Sequence, residues 1–470
     1  RVFETSERTG VNIMMISQAS SEQSISLVVR EEDADALVKA LSDDFGLEID
    51  AGMLAPIRRD DRISVVSIIG EGMAGTSGVS ARLFDALAQV RVSVRAIAQA
   101  ASELSISVAL DTDHVDRAVR AVHTLFGLTR IVHVAMIGVG AVGRTLLGML
   151  DAVPFGDVRL QVVLAASSTR WVVDPDGIAP ADVAARVAAG DTRPSDEELV
   201  EALASRRFTD IVLVDVTAAD TGPLHALALK AGFHVVTANK RPLTGSMAAY
   251  REMVDARDAA GVRYGYETTF GAGLPVLHTL KELVATGDRV RHVEGCLSGT
   301  LGFVATELDR GASIGEAVGR AAEPGYTEPD PREDLSGRDV ARKALIIARA
   351  MGRRLELDDV ELEPFLPGLE EGLEAAFVAH GPALGARVAE AHARGAVLRY
   401  VAHIGERVTV GLREVPGSSP IGSLAGPDNI LVFTTERYAE NPLVVRGPGA
   451  GAGVTAAGVL GDILKIARKG

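Results

Sequence analysis

The stretch Ile131-Val132-His133-Val134-Ala135-Met136-Ile137-Gly138-Val139-Gly140-Ala141-Val142-Gly143-Arg144 decides the fold of the longer part of the chain. Its first seven residues read as a continuous apolar strand, the pattern of a strand buried on both faces of a sheet. The three glycines follow at once, and a helical run from Arg144 to Leu150 comes after them. Alone, G-x-G-x-x-G is a weak signal, equally met in a tight turn. Between a strand and a helix it is strong, because the glycines permit the turn and let a pyrophosphate approach the unpaired N–H groups of the helix N-terminus. Gly138, Val139, Gly140, Ala141, Val142 and Gly143 are therefore the candidate dinucleotide cradle.

Downstream, Gln161 to Ala166 reads as the next strand and ends in Ser167-Ser168-Thr169-Arg170. An NAD-specific site places a carboxylate at that strand end, whereas hydroxyls and a guanidinium suit a 2′-phosphate, so Ser168 and Arg170 point to NADP. Ile211 to Thr217 and His234 to Asn239 read as further buried strands with a helix between them, and the expected fold is a doubly wound α/β sheet. Lys240 follows the second of these strands, at the carboxyl edge where such sheets bind ligands. A solvated lysine opening a loop is the bland alternative.

Hydrophobic residues make up 47% of the chain and aromatics 4%, so the core is aliphatic, as α/β layers require. Charge stands at 48 basic against 63 acidic residues, net −15, without a long Lys/Arg block, which argues against nucleic acid or an anionic membrane as partner. The single cysteine, Cys296, excludes an intramolecular disulfide and points to a reducing, cytoplasmic setting. No secretory signal opens the chain and no apolar run of about 18 residues occurs. No His/Cys pair has zinc spacing.

The chemistry is expected where the acidic stretch Gly325-Tyr326-Thr327-Glu328-Pro329-Asp330-Pro331-Arg332-Glu333-Asp334-Leu335 runs into a helix over 336–351. Two prolines are expected to hold this stretch extended and to forbid helix before Leu335, and Ser336 with Asp339 reads as a helix start. Wound at about 100° per residue, the helix puts Arg338, Arg342 and Arg349 on one wet arc and turns Asp339 and Lys343 to the apolar side. Inward charges are costly unless something polar meets them, so a substrate cleft is expected there, with Glu328 and Asp334 on its rim. The competing reading is an exposed i,i+4 pair contributing about 0.3–0.5 kcal/mol.

Glu267-Thr268-Thr269-Phe270-Gly271-Ala272-Gly273-Leu274-Pro275 leads from a strand into a helix from Val276 to Ala285. Its glycines leave carbonyls unpaired, which together with one carboxylate suit a monovalent or hard cation; a simple turn is an equal alternative. Near the end, Gly447-Pro448-Gly449-Ala450-Gly451-Ala452-Gly453 lets backbone come close to a flat ligand before a helix from Val454 to Lys469. Residues 1–130 hold an internal repeat. A shift of 81 positions places Arg1 on Arg82, Val11 to Ala19 on Val92 to Ala100, and Ser21 to Ser26 on Ser102 to Ser107. Each copy reads helix, strand, turn, strand, helix. Only the second has a preceding strand, Ile63 to Ile69, so the first copy is expected to be truncated and Arg1 to lie inside a longer natural protein.

The repeat resembles paired ACT domains, βαββαβ modules that sense amino acids. That resemblance implies an effector role for Gln18 and Gln99 at their strand ends, where plain surface amides are the alternative. From Ile131 onward the chain resembles the homoserine dehydrogenase family, in the form fused behind an aspartokinase with two ACT domains between. The resemblance rests on Gly138 to Gly143, Thr237-Ala238-Asn239-Lys240, Gly271-Ala272-Gly273-Leu274-Pro275, Leu297-Ser298-Gly299-Thr300-Leu301, Gly325 to Lys343, and Val454-Thr455-Ala456-Ala457-Gly458, in that order. It implies a Rossmann NADP-binding domain at 131–270 with 446–470, an α+β catalytic and dimerisation domain at 271–445, and ACT copies at 1–58 and 59–130.

By the same resemblance Lys343 and Lys240 transfer the proton at the substrate oxygen, and Glu328 and Asp339 bind the substrate amino group. Asp334, Tyr326, Thr300 and Gly299 line that pocket, and Thr217, Lys240 and Gly451 touch the nicotinamide cofactor. Glu267 with the carbonyls of Phe270, Ala272 and Leu274 matches the family's metal site, for Na⁺ or K⁺, although Phe270 and Arg241 depart from the family's usual residues. The reaction implied interconverts L-aspartate 4-semialdehyde and L-homoserine with NADP(H), with NAD(H) as second choice and threonine as effector, in a homodimer or homotetramer. No kinase motif precedes the repeat in this sequence, so aspartokinase activity is not expected of it. Two rivals stand beside this reading. One is a phosphorylating semialdehyde dehydrogenase using Cys296 as nucleophile, and the other is an amino-acid-sensing regulatory protein whose dehydrogenase part is catalytically impaired.

Overall fold

A computed structural model describes residues 1–18, 24–126, 130–152, 158–206, 208 and 210–468. The chain divides into two compact units, Arg1–Arg130 and Ile131–Gly470.

In the longer unit a seven-stranded sheet runs in the order Tyr264–Gly265, His234–Thr237, Ile211–Asp215, Arg130–Ile137, Val158–Ala166, Arg170–Ile178, Asp191–Thr192. The first four strands pair in parallel. Alternation along Arg130–Ile137 shows why the run is apolar throughout. Val132, Val134 and Met136 pack with the helices Ala141–Ala152 and Ala452–Arg468, while Ala135 and Ile137 pack on the opposite face with Asp196–Ala204, Gly222–Lys230 and Met247–Ala260. Helices on both faces make the sheet doubly wound. The edge hairpin is an addition that the strand-end motif does not announce. Arg170–Ile178 pairs antiparallel with Val158–Ala166, and Ser167 Oγ closes the turn by accepting from the Arg170 N–H at 2.9 Å.

A second, six-stranded sheet runs Glu361–Leu362, Val408–Pro416, Ala396–Ile404, Val290–Cys296, Asp428–Thr435, Leu443–Pro448. Its pairs are antiparallel except the first. One face packs on the helices Val276–Ala285, Gly299–Asp309, Ile314–Ala322, Arg338–Ala350 and Leu373–Ala393, an α+β arrangement with one aliphatic core.

Three expectations about the acidic stretch are corrected here. Pro331 does not forbid helix; it opens the short helix Pro331–Leu335, where its missing N–H costs nothing and Asp330 accepts from the Arg332 N–H at 3.0 Å. Asp334 therefore sits in a helical turn, not in an extended loop. The long helix starts at Arg338 with Gly337 as its cap at φ 71°, not at Ser336. A side chain at 337 would be strained at that φ and would run into the Tyr400 hydroxyl. Arg349, finally, is not on a wet arc. It is 4% exposed, donates to the carbonyls of Leu243 at 2.7 Å and Leu355 at 2.9 Å, and lies over the Tyr250 ring. A wheel sorts residues by polarity, but a guanidinium with five donors can be buried where carbonyls meet it.

The shorter unit realises the repeat as helix Val2–Thr9, strands Met15–Gln18 and Ile25–Val28, and helix Glu31–Asp44, then strand Ile63–Ile69, helix Val79–Gln89, strands Val94–Gln99 and Ser105–Asp111, and helix Val115–Leu125. The second copy forms a three-stranded sheet with Ser105–Asp111 in the middle. Among the described residues no closing strand follows either copy's second helix: Arg58-Arg59-Asp60-Asp61-Arg62 is a charged run without alternation. Ala19 and Ser21 to Gln23 of the repeat lie outside the described residues. No helix among those described is long and apolar enough to cross a membrane.

Candidate active site

The helix Arg338–Ala350 carries Val340, Ala344, Leu345 and Ile347 into the core, and Lys343 goes in with them, 7% exposed. Its Nζ donates to the Leu297 carbonyl at 2.6 Å and lies 3.0 Å from Asp339 Oδ2, one turn back. Lys240, just past the strand His234–Thr237, donates from Nζ to Asp339 Oδ1 at 2.6 Å. One carboxylate thus bridges two ammoniums that come from different layers of the fold. Desolvation opposes ionisation of Asp339, but Lys343 and Lys240 more than reverse it and hold the carboxyl well below the usual range. Desolvation also pushes the Lys343 ammonium down; Asp339 resists and Lys240 adds to the drop. The Asp339 side chain keeps 45% of its surface open, so the triad is reachable from solvent on that side. The exposed-pair reading of Lys343 fails on its burial.

Asp334, within electrostatic reach of Asp339 and Lys343, brings the next helices beside the triad. Gly299 opens Gly299–Asp309 and backs onto the Pro427 carbonyl, leaving no room for a side chain, while Ser298 caps the helix by accepting from the Leu301 N–H at 3.2 Å. The Thr300 hydroxyl donates to the Tyr326 carbonyl at 2.5 Å, and Asp334 Oδ2 accepts from the Glu328 N–H at 2.8 Å, so both ends of the 326–334 segment are tied down. Desolvation raises the Asp334 carboxyl above its ordinary range, more than its hydrogen bonds lower it. Tyr326 stands edge-on to Phe303, and Glu328 is exposed at the rim.

At the sheet edge, Gly138 has φ 103°, and a side chain there would strike Thr217 and Val216. Gly143 sits under the Gly138 carbonyl, whereas Gly140 faces open space. Two of the glycines serve backbone packing and the middle one leaves room for a ligand in front of the helix Ala141–Ala152. Thr217 Oγ1 donates to Asp215 Oδ1 at 2.7 Å. Gly451, at φ 123°, precedes the last helix, which starts at Ala452, two residues before Val454. Ser168 lies in the turn before the edge hairpin, and Arg170 donates from Nη1 to the Gly190 carbonyl at 2.9 Å.

Residues 1–45 and 66–126 match the ACT domain family, 138–267 the homoserine dehydrogenase NAD-binding domain, and 275–464 homoserine dehydrogenase. A homoserine dehydrogenase of Paracoccidioides brasiliensis is 35% identical over 367 residues, which cover 72% of this chain and 98% of that one. The chain belongs to the homoserine dehydrogenase family. The bifunctional aspartokinase/homoserine dehydrogenase of Haemophilus influenzae is 40% identical over 479 residues and 99% of this chain, while the chain spans only 59% of that relative's length. A hyperthermophilic archaeal homoserine dehydrogenase solved in complex with NADPH shares the fold, with a TM-score of 0.57 and 24% identity over 72% of this chain and 98% of that one. Lys240 and the glycine cradle fall in the NAD-binding match, and Thr300, Glu328, Asp339 and Lys343 in the homoserine dehydrogenase match.

Other residues singled out from the sequence lie elsewhere in this family fold. The Glu267 carboxylate accepts from the Leu277 and His278 N–H groups at 2.7 and 2.8 Å, at the N-terminus of Val276–Ala285, where a negative charge is favoured. Phe270 is buried, Ala272 holds the left-handed φ of 52°, and Leu274 accepts from the Val276 N–H at 2.9 Å. Among the described residues no three His, Cys, Asp or Glu side chains are grouped to hold a metal. Cys296 is buried and desolvation pushes its thiol up to about 12, which overturns the rival reading that needs a thiolate nucleophile. Gln18 and Gln99 are exposed at the ends of two strands that touch each other within the shorter unit. Sequence reasoning missed Asp215 and His225 and gave Asn239 a place in a motif but no role; all three are buried. The available signal was an aspartate closing an otherwise apolar strand.

Proposed function

We propose that this chain reduces L-aspartate 4-semialdehyde to L-homoserine, reversibly, with NADPH and less well with NADH. The observation that carries the reading is the Lys240–Asp339–Lys343 triad, joined to the glycine cradle through Asn239, Asp215 and Thr217. The cradle, Thr217, Lys240 and Gly451 would hold the nicotinamide dinucleotide, with Ser168 and Arg170 toward its 2′-phosphate. That cofactor supplies the hydride when bound. An aldehyde oxygen gains negative charge as it is reduced. Lys343, fixed on a rigid helix, donates to that oxygen, stabilises the alkoxide and delivers the proton. Asp339 keeps the two ammoniums aligned and shares with Glu328 the holding of the substrate amino group. Asp334, Tyr326, Thr300 and Gly299 shape the wall.

Glu267 with the carbonyls of Phe270, Ala272 and Leu274 is an all-oxygen donor set, which fits Na⁺ or K⁺ better than a transition metal; a cation there would brace the 267–275 turn. The ACT copies support amino-acid sensing, with threonine as effector near Gln18 and Gln99. The purified chain, given aspartate semialdehyde and NADPH, is expected to consume NADPH at a rate proportional to enzyme. Tight NADPH binding without turnover would instead favour the regulatory reading.

A further inference from the structure

We propose that Asp215, His225 and Tyr264 form a buried brace that positions Thr217 and the Asn239-Lys240 step for hydride and proton transfer. This rests on the oxidoreductase reading above. Asp215 closes the strand Ile211–Asp215 and is completely buried. Its carboxylate meets donors on every side. Oδ1 accepts from the Thr217 N–H at 2.9 Å and Oγ1 at 2.7 Å. Oδ2 accepts from Thr221 Oγ1 at 2.6 Å and from Asn239 Nδ2 at 3.1 Å. His225 Nε2, itself fully buried, lies 3.1 Å from Oδ2, and its Nδ1 lies 2.8 Å from the Tyr264 hydroxyl. With Nε2 donating to the carboxylate, His225 Nδ1 accepts a hydrogen bond from the Tyr264 hydroxyl, and every group in the chain is satisfied.

The brace reaches the chemistry at two points. Thr217 flanks Gly138 of the cradle, so fixing its backbone and hydroxyl fixes one wall of the dinucleotide site. Asn239 passes the constraint forward: its Nδ2 donates to the Ala219 carbonyl at 2.7 Å, and its Oδ1 accepts from the Arg241 N–H at 3.1 Å. The residues before and after Lys240 are therefore both anchored. A displacement of about 1 Å in a reacting group can cost on the order of 10²-fold, so such anchoring is worth as much as a direct contact. Asp215 is thus a positioning residue, acting through Lys240 and Thr217.

Variants at Asp215, Lys240 and His225 test this against a brace that serves folding alone. Asp215→Asn keeps the shape but turns an amide N–H₂ toward groups that are themselves donors. It should lower kcat by about 10- to 10²-fold in a protein whose far-ultraviolet circular dichroism matches wild type. Combined with Lys240→Ala it should lose less than the product of the two single losses, because the part of its effect that runs through Lys240 is already gone. His225→Gln offers one donor and one acceptor in place of the imidazole and should stay within about threefold of wild type, while His225→Leu falls to the Asp215→Asn level. Losses that multiply in the double variant, or His225→Gln no better than His225→Leu, would overturn the proposal. If Asp215→Asn does not fold, the two His225 variants decide it alone. A wild-type chain without turnover defeats the functional reading, and the brace is then judged by NADPH fluorescence titration, where His225→Leu should bind weaker and His225→Gln should not.

Discussion

Two carboxylates, one meeting Asn239 and the other Lys240, are held in opposite ways. Asp215 is closed off from solvent and surrounded by neutral donors and one imidazole, with no capacity left over. Asp339 is partly open and shared between two ammoniums, so its immediate surroundings carry a surplus of positive charge. A saturated group inside a low-dielectric interior fixes geometry, because any movement breaks several hydrogen bonds at once. A charge surplus open to solvent would suit an oxygen that becomes negative. The contrast separates a part of the site built to hold from the part proposed to react.

The largest effect is expected on the reacting side. Lys343→Met should lower kcat by about 10²–10⁴-fold while leaving NADPH binding near wild type. The same change should raise stability. Desolvation holds the folded Lys343 below its unfolded value of 10.5, so between the two the unfolded chain binds more protons and stability rises with pH. Below that window the buried ammonium is a cost, which methionine removes, for a gain of about 0.5–2 kcal/mol. Thermal unfolding and steady-state kinetics on one variant measure both. Turnover above about a tenth of wild type would mean that Lys240 or water supplies the proton.

On the holding side the signs reverse. Asp215→Ala should cost about 3–5 kcal/mol in urea unfolding, since it strands the donors of Thr217, Thr221, His225 and Asn239. Desolvation pushes its folded carboxyl up, but the hydrogen bond and electrostatic attraction of His225, with hydrogen bonds from Thr221 and Thr217, bring it below 3.8, so its contribution is present above 3.8 and fades as pH falls through the folded value. Wild type should lose stability faster than Asp215→Ala on acidification; parallel curves would place Asp215 outside the network.

The holding side was the less legible one in the sequence. Strand, glycine loop and helix at 131–150 are read from local patterns, and Lys343 is read inward by helical period, because both depend on residues within a few turns. The brace joins residues 215, 225, 239 and 264, which no local period connects. Arg349 misled for a related reason: its partners are the carbonyls of Leu243 and Leu355, and backbone acceptors leave no trace in side-chain patterning. The short helix at Pro331–Leu335 was hidden because a proline marks a helix start as readily as an interruption.

A middle-sized effect should come from Asp339→Asn. Removing the negative charge between the two lysines takes away what holds the Lys343 ammonium up, so its pKa falls further. If Lys343 delivers the proton, its protonated form is the active one in the reducing direction, and the alkaline limb of the kcat profile should move to lower pH. If Asp339 is one of two carboxylates that hold the substrate amino group, substrate KM should rise about tenfold. A shift of the limb to higher pH would show that Asp339 does not face Lys343 in the working enzyme.

The smallest effect is expected at Arg170, where holding and reacting meet in one side chain. Its Nη1 is committed to the Gly190 carbonyl and braces the edge hairpin, while the remaining donors of the fork are exposed beside the turn at Ser167 to Thr169. If the free part of the fork meets a 2′-phosphate, Arg170→Ala should raise the KM for NADPH by about three- to tenfold, up to about 1.4 kcal/mol, and leave NADH unchanged. Ser168 and the turn amides would supply the remaining contacts, which keeps the loss below that of a sole anchor. If the guanidinium is only a staple for the hairpin, both cofactors should weaken together and the melting temperature should drop with them. The ratio of kcat/KM for the two cofactors, measured beside thermal unfolding, distinguishes the cases, because a staple changes stability without changing preference.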